Sequence, residues 1–338
     1  MILITGASGF AGSYILYELF RRQKKVRVFK RPDSSFRQIE FVFRLMNQDK
    51  ELTFNDYINY FDWADGNLDD RESIEEAISG ITEIIHCAAI VSFAKPDKNK
   101  ILNINYRATA HLVNLAIEKG ISKFHYLSSI ASLDRNNDNT VREENFPVTK
   151  KFSSTYSQSK YLGEMEVWRG YQEGLTGIIL NPGVITGPMA EDKPTLKLIN
   201  VIRKGFKFYP VGTNGYVDVR DVAGTFVQLI DSEEFYNQRY ICVSENLSYR
   251  EIFAMVAVHS GVKAPSIRAT RWMTITAMIL DHIRAVFTGD HALFKLELVK
   301  LINSHYFYDN TKIRNTLGYQ FMPINQSIHD MIKYSINP

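Results

Sequence analysis

Apolar residues in the first half of the chain alternate between short runs and helical spacing. MILIT is a short apolar run that ends in a glycine turn, and SYILYELFRR then places Ile15, Leu16, Leu19 and Phe20 at helical intervals. KVRVFK, EIIHCAA, KFHYLSS and TGIILNP read as further strands. Between them, NKILNINYRATAHLVNLAIEKG predicts a long helix closed by Gly120, and YSQSKYLGEMEVWRGYQEG predicts another. Strands alternating with helices predict parallel pairing, and so an α/β, doubly wound parallel sheet with helices on both faces.

The alternation pauses after Pro32. SSFRQIEFVFRLMNQDKELTFNDYINYF is long for a strand-to-helix connection and rich in aromatic residues, so it predicts a local helical insertion. After Pro182 short strands (YVDV, RYICV) mix with helices, and SYRE (Ser248–Glu251) has the form of a capping box. The pattern predicts one domain over residues 1–181 plus 216–245. A smaller interleaved lobe, over 182–215 plus 246–338, is expected to bind substrate. The most apolar stretch, Trp272–Phe287, contains Asp281, His282 and Arg284 and is too short to span a bilayer.

Composition changes this picture little. The chain has 338 residues and a net charge of +3 spread along its length, which offers no nucleic-acid footprint. The cluster Arg21–Lys25 ends a predicted helix, where cations complement the dipole. The two cysteines, Cys87 and Cys242, lie in apolar runs, so a reducing, cytoplasmic setting is expected. The first residues enter a strand at once, which predicts no signal peptide and no membrane span. His86 and His111 stand in different elements without ligand-spaced partners, so no metal is expected.

Candidate chemistry begins at TGASGFAG. Gly6, Gly9 and Gly12 form G-x-x-G-x-x-G directly after a strand and before a helix. Gly6 permits the turn, Gly9 lets backbone approach a pyrophosphate, and Gly12 lets helix and strand pack closely. The helix N-terminus attracts the anion. Tyr156 and Lys160 stand four apart, on one face of a predicted helix. Tyr308 and Lys312 repeat that spacing, so spacing alone does not discriminate.

Order along the chain does. The T-G-x-x-G-x-x-G turn resembles the extended branch of the short-chain dehydrogenase/reductase superfamily. GNLDD (Gly66–Asp70), IIHCAA (Ile84–Ala89), NINYRAT (Asn103–Thr109), YLSSIAS (Tyr126–Ser132), YSQSK, LNPGVITGP (Leu180–Pro188) and YVDVRDVA (Tyr216–Ala223) resemble its later motifs in sequence order. The resemblance implies a Rossmann-like domain and a catalytic group of Ser129, Tyr156 and Lys160, with Asn105 ordering a proton-relay water or bracing the helix. It implies cofactor contacts from Gly6, Ser8, Gly9, Phe10, Ala11, Gly12, Asn67, Leu68, Ala88, Ala89, Lys160, Pro182, Gly183 and Val184. Tyr156 follows Ser129 by 27 residues, so helix and strand can converge at the strand's carboxyl end, whereas Tyr308 has no such strand before it. Tyr308 and Lys312 therefore read as structural.

The residue types suit hydride chemistry. Negative charge develops on a carbonyl oxygen, so a donor must stabilise it and deliver a proton. Tyrosine's ordinary pKa, about 10, is high for that task; a cation one turn away, Lys160, is expected to lower it. Lys30 and Arg31 follow the second strand where NAD sites place an acid. They favour NADP, with NAD as the alternative and Arg31 as the main contact. GTNGYVDV (Gly212–Val219) lacks the arginine of sugar-nucleotide epimerases and dehydratases, and Gly183–Val184 stand where those enzymes carry Phe-Asn. Both departures resemble the dihydroflavonol reductase and 3β-hydroxysteroid dehydrogenase group, as does AAIVSF (Ala88–Phe93). The implied reaction is reversible reduction of an aldehyde or ketone on a fairly apolar small molecule. The alternatives are a sugar-nucleotide epimerase or dehydratase and a non-catalytic NADP-binding regulator. Phe206, Phe208, Tyr209, Trp272, Met273, Met278, Phe287 and Phe294 are candidates for an apolar substrate pocket. The family resembled often forms a homodimer through helices equivalent to Asn99–Lys119 and Tyr156–Glu173, but apolar faces there also suit an ordinary core, so the sequence leaves the oligomeric state open.

Overall fold

A computed structural model describes residues 1–47, 52–91, 98–134, 140–147, 152–190, 194–270, 272–276, 299 and 302–335. Its centre is a seven-stranded sheet built from β1 (Ile2–Thr5), β2 (Val26–Lys30), β3 (Asp62–Asp65), β4 (Glu83–His86), β5 (Lys123–Leu127), β7 (Ile178–Pro182) and β11 (Gln238–Cys242). The spatial order is β3-β2-β1-β4-β5-β7-β11, and every neighbouring pair is parallel. The winding reverses between β1 and β4, which opens a crevice at the carboxyl ends of those strands.

Helices cover both faces. They are α1 (Phe10–Arg21), α2 (Arg37–Met46), α3 (Phe54–Tyr60), α4 (Arg71–Ala77), α5 (Lys98–Leu102), α6 (Ala108–Glu118), α7 (Thr155–Gln172), α8 (Pro194–Arg203), α9 (Val219–Ile230), α10 (Tyr249–His259), α11 (Thr311–Leu317) and α12 (Ile324–Tyr334). One core lies between the sheet and α1, α2, α3 and α9, and a second between the sheet and α4, α6 and α7. The aromatic insertion after β2 forms α2 and α3. Tyr57 packs there on Phe43 and Phe20, with centroids 4.3 and 4.9 Å away. Strand β3 was not legible in the pattern. It is a four-residue edge strand whose burial alternates too weakly to show.

A three-stranded sheet of β8 (Val184–Thr186), β10 (Thr213–Asp218) and β12 (Glu245–Ser248) forms the second lobe. Two strand pairs extend it: β9 (Phe208–Tyr209) with β13 (Ile267–Arg268), and β6 (Thr140–Val141) with β14 (Phe307–Tyr308). The chain leaves β10 through α9 and returns to the main sheet at β11, so the lobes interleave. The capping box at Ser248 and Glu251 is present. Arg220 holds the lobe to the junction, bonding Asp218 of β10 and Asp330 of α12 at 2.8 Å each. Of the Trp272–Phe287 stretch, only 272–276 fall within the described residues, with Trp272 exposed.

Candidate active site

The glycine turn has the required shape. Gly6 takes φ +74°, and a Cβ there would come 2.5 Å from the Ala88 nitrogen. A Cβ on Gly12 would collide with the Gly6 carbonyl. Gly9 is the N-cap of helix α1, which has no side-chain cap and no acidic residue in its first turn. Its leading amides therefore keep their capacity for an anion, and the donor set fits a pyrophosphate. A cleft of about 1780 Å³ opens over this turn. Gly6, Ser8, Gly9, Phe10, Ala11, Gly12, Lys30, Arg31, Asn67, Leu68, Ala88, Ala89, Pro182, Gly183 and Val184 all line it, as do Ser129, Tyr156 and Lys160.

The two cations at the end of β2 behave differently. Lys30 pairs with Asp65 at 2.5 Å, an acid presented by its register partner in β3. Arg31 is largely exposed and meets Asp33 only at 3.5 Å. Arg31 is therefore freer to turn toward a ligand phosphate, whereas Lys30 is held by β3.

The catalytic candidates converge where β5 meets α7. Ser154 caps α7, accepting from the Ser157 amide at 3.0 Å. Ser129 Oγ accepts from the Ala131 amide at 3.1 Å and hydrogen-bonds to the Tyr156 hydroxyl. Lys160 is buried; its Nζ donates to Tyr126 Oη at 2.9 Å and to the Leu127 carbonyl at 2.8 Å. Burial lowers its pKa to about 7, opposed by the charge of Glu164 and then by Cys87. The expected lowering of Tyr156 is not what the structure shows. Burial pushes the phenol above its ordinary value, and the downward pull comes from Ser129. The reason is the aim of Lys160: its ammonium turns into the sheet, toward Tyr126 and Leu127.

Asn105 stands in a five-residue π-helical turn, Asn103–Arg107, set between α5 and α6. Its Oδ1 accepts from the Ile90 amide at 2.7 Å, and its Nδ2 donates to the Ile90 carbonyl at 2.9 Å and Ser159 Oγ at 3.0 Å. The amide thus ties the cofactor-side loop after β4 to α7. It is buried behind the cleft wall and does not line the cleft. His86 is also structural: it bridges Thr5 at 2.6 Å and Thr109 at 2.9 Å, and burial drops its pKa to about 3.

The second lobe closes the far side of the cleft with Asn214, Tyr249, Ile275, Val299, Asn303, Ser304, Tyr306 and Tyr308, among others. The described residues it contributes to that wall carry no charge. This corrects the pocket expected from the sequence. Phe206, Phe208, Tyr209, Trp272 and Met273 do not line the cleft, because they sit around the β9–β13 pair and the start of the 272–276 helical segment. Met278, Phe287 and Phe294 lie outside the described residues. Tyr308, read as structural, is buried in a small core with Ile130, Val141, Ile241 and Val243, and it also faces the cleft.

Comparison with known proteins gives this geometry its family. The profile of the NAD dependent epimerase/dehydratase family matches residues 2–241, well over half of the chain. The chain belongs to that family. Within it, the protein is an NAD(P)-dependent oxidoreductase of the extended short-chain dehydrogenase/reductase type, as its similarity to reductases and dehydrogenases indicates. A Synechocystis sp. protein provisionally named dihydroflavonol 4-reductase is 25% identical over 99% of this chain and 94% of its own. Sterol demethylase protein B of Methylococcus capsulatus is 24% identical over 94% of this chain and 92% of its own. The crystal structure of gox2253 superposes with a TM-score of 0.79 at 26% identity, over 99% of this chain and 97% of that one. UDP-glucose 4-epimerase of Thermotoga maritima shares the fold, with a TM-score of 0.73 at 16% identity over 98% and 97% of the two chains. Among the described residues no helix is long and apolar enough to cross a membrane.

The sequence motifs assigned no role to three residues that shape the site. Tyr126 holds Lys160. Asp65 holds Lys30. Glu164, one turn beyond Lys160, is buried against Arg239 at 2.8 Å. Only Tyr126 had a usable signal, since it precedes the serine pair by two residues in a strand whose side chains alternate faces.

Proposed function

We propose that this oxidoreductase reduces an aldehyde or ketone on a neutral, largely apolar small molecule, in the reversible sense, with NADP(H) as its dinucleotide. A bound nicotinamide dinucleotide would supply the hydride to the carbonyl carbon. The chain's own residues do the rest. Ser129 orients the carbonyl oxygen by hydrogen bonding. Tyr156 delivers the proton to that oxygen in reduction and removes it in oxidation. Lys160, charged in the bound state, draws the anionic cofactor and holds its ribose. Asn105 is read as a positioning residue, bracing α7 through Ser159.

The observation that carries this reading over a sugar-nucleotide epimerase is the uncharged wall facing Ser129 and Tyr156. A diphosphate sugar needs cations for its phosphates. Among the described residues lining the cleft, the cations are Lys30 and Arg31 at the β2 end, Lys160 beside the serine, and exposed Lys100 on α5. None comes from the second lobe. The presence of Ser129, Tyr156 and Lys160 together argues against a regulator without turnover.

Incubation with NADPH and a panel of neutral aldehydes and ketones should consume cofactor. Turnover of a UDP- or dTDP-sugar without net cofactor consumption would instead establish the epimerase. Arg31→Ala should weaken NADPH binding roughly tenfold or more, the worth of a charge-assisted phosphate contact, and leave NADH binding nearly unchanged. A native preference for NADH that survives this substitution would sink the NADP assignment.

A further inference from the structure

Glu164 is a fully buried carboxylate on α7, and the chemistry above does not use it. Carboxylates stay ionised away from water only when paired and hydrogen-bonded. Oε1 accepts from Arg239 Nη1 at 2.8 Å. Oε2 accepts from Ser128 Oγ at 2.6 Å, Ser132 Oγ at 2.7 Å and Asn181 Nδ2 at 2.9 Å. Burial alone would raise this carboxyl, but Arg239 and the two hydroxyls outweigh it and hold the group below its usual range.

The donors lead on to Ser129. Ser132 Oγ lies 2.8 Å from the Ser129 carbonyl, and Asn181 Nδ2 lies 3.1 Å from it. Ser132 has one proton, and the charged oxygen is the stronger acceptor for it. Asn181 has two protons, so it can bridge Glu164 and the Ser129 carbonyl at once. The turn that presents Ser129 is thereby tied to Glu164.

Among the described residues, Glu164 is the carboxylate whose charge acts on Lys160. Lys160 is also faced by Tyr126 and the Leu127 carbonyl of β5, by His86 and Cys87 at the end of β4, and by Tyr156 on its own helix. His86 is held neutral, with a pKa near 3, and the Cys87 thiol is pushed up to about 12. Tyr126 and Tyr156 are raised as well. None of these groups changes charge near neutral pH. On its other side Glu164 faces Arg239, with Tyr171 and Tyr126 nearby and Glu143 and Lys312 beyond the guanidinium.

We propose that Glu164 is a positioning residue for the catalytic group: through Asn181 and Ser132 it fixes the turn that carries Ser129, and its buried negative charge, one helical turn away, favours the charged form of Lys160 against the burial that disfavours it. The inference rests on the reading of Ser129, Tyr156 and Lys160 as that group.

Carbon-13 NMR of the Lys160 Cε resonance, assigned with Lys160→Met, tests the charge directly in the cofactor-free protein. Glu164→Gln keeps an acceptor for Asn181 and removes the charge. It should move the Lys160 midpoint down by about one pH unit or more. NADPH affinity above neutral pH, read by fluorescence quenching, should fall about tenfold with it, since one pH unit is a factor of ten in protonation. A merely structural glutamate would leave the midpoint where it is. An unchanged midpoint, or a native pH dependence of NADPH binding in the variant, overturns the proposal. If Arg239 left unpaired prevents folding, Glu164→Gln/Arg239→Met removes both charges together and takes the same two measurements. If the native protein binds neither NADPH nor NADH, the dinucleotide reading fails, while the NMR midpoint still decides the role of Glu164.

Discussion

Tyr156–Lys160 and Tyr308–Lys312 share a spacing, and both tyrosines face one cleft. In the first pair both residues belong to α7, with Ser129 hydrogen-bonded to the tyrosine and the lysine buried behind it. In the second, Tyr308 ends β14 and Lys312 stands in α11. The chain turns between them at Asp309, whose carboxylate accepts from the Thr311 amide at 2.9 Å. Lys312 then points away from the cleft, donating to the Arg239 carbonyl at 2.9 Å and lying 4.5 Å from the Tyr240 ring centroid. Burial lowers the pKa of both lysines, but only Lys160 stands at the cleft wall. What separates the two tyrosines in the structure is the strand end in front of the hydroxyl, not the residue four positions on.

The largest test of that contrast is Tyr156→Phe. Loss of the proton donor should cut kcat by roughly 10²- to 10⁴-fold with cofactor affinity retained; steady-state kinetics on any carbonyl that the native protein reduces would show it. Native turnover in this variant would erase the distinction between the two tyrosines.

Lys160→Met comes next, and its signature is a proton. Folded Lys160 has a pKa near 7, below that of an ordinary lysine at about 10.4. Between those values the unfolded chain binds more protons than the folded one. This group therefore makes the cofactor-free protein more stable as pH rises through that window. An anionic dinucleotide favours the charged ammonium, so NADPH binding above pH 7 should take up close to one proton. Calorimetry in buffers of different ionisation enthalpy should detect that uptake, and Lys160→Met should abolish it.

Tyr308→Ala should matter less to chemistry than to the fold. Emptying its small core costs about 3 kcal/mol, visible as a lower Tm, and the altered wall should raise KM while kcat stays within a few-fold. Smallest of all, Lys312→Met should leave kcat and KM unchanged and cost about 1 kcal/mol for its lost hydrogen bond, measured by denaturant unfolding. A loss of kcat in Lys312→Met as large as that in Tyr156→Phe would show that the spacing carries more than geometry suggests.

The glycine turn and the elements that follow it were legible because each answers a local demand. Gly6 needs a left-handed φ, Gly12 a bare Cα, and the serine strand and capped α7 follow in order. The far wall was not legible, because it gathers Asn214, Tyr249, Ile275, Val299, Asn303, Ser304, Tyr306 and Tyr308 from separate segments. No period of 2 or 3.6 marks side chains that meet only through tertiary packing. The aim of Lys160 was hidden for a related reason. Helical spacing places it beside Tyr156, but rotamer choice follows its acceptors, and those lie on β5. Asp65 escaped with β3, since its pairing with Lys30 depends on a strand register spanning 35 positions.

The partner of Glu164 bears on how the enzyme is made. Ser129, Tyr156 and Lys160 have all left the ribosome long before Arg239, which follows Lys160 by 79 residues and sits in β11, the edge strand of the sheet. Until β11 docks beside β7, Glu164 would be a buried carboxylate without its cation, a state that proteins avoid. The segment carrying the proposed catalytic group should therefore stay loosely folded on the growing chain and set only when the sheet is completed from its far edge.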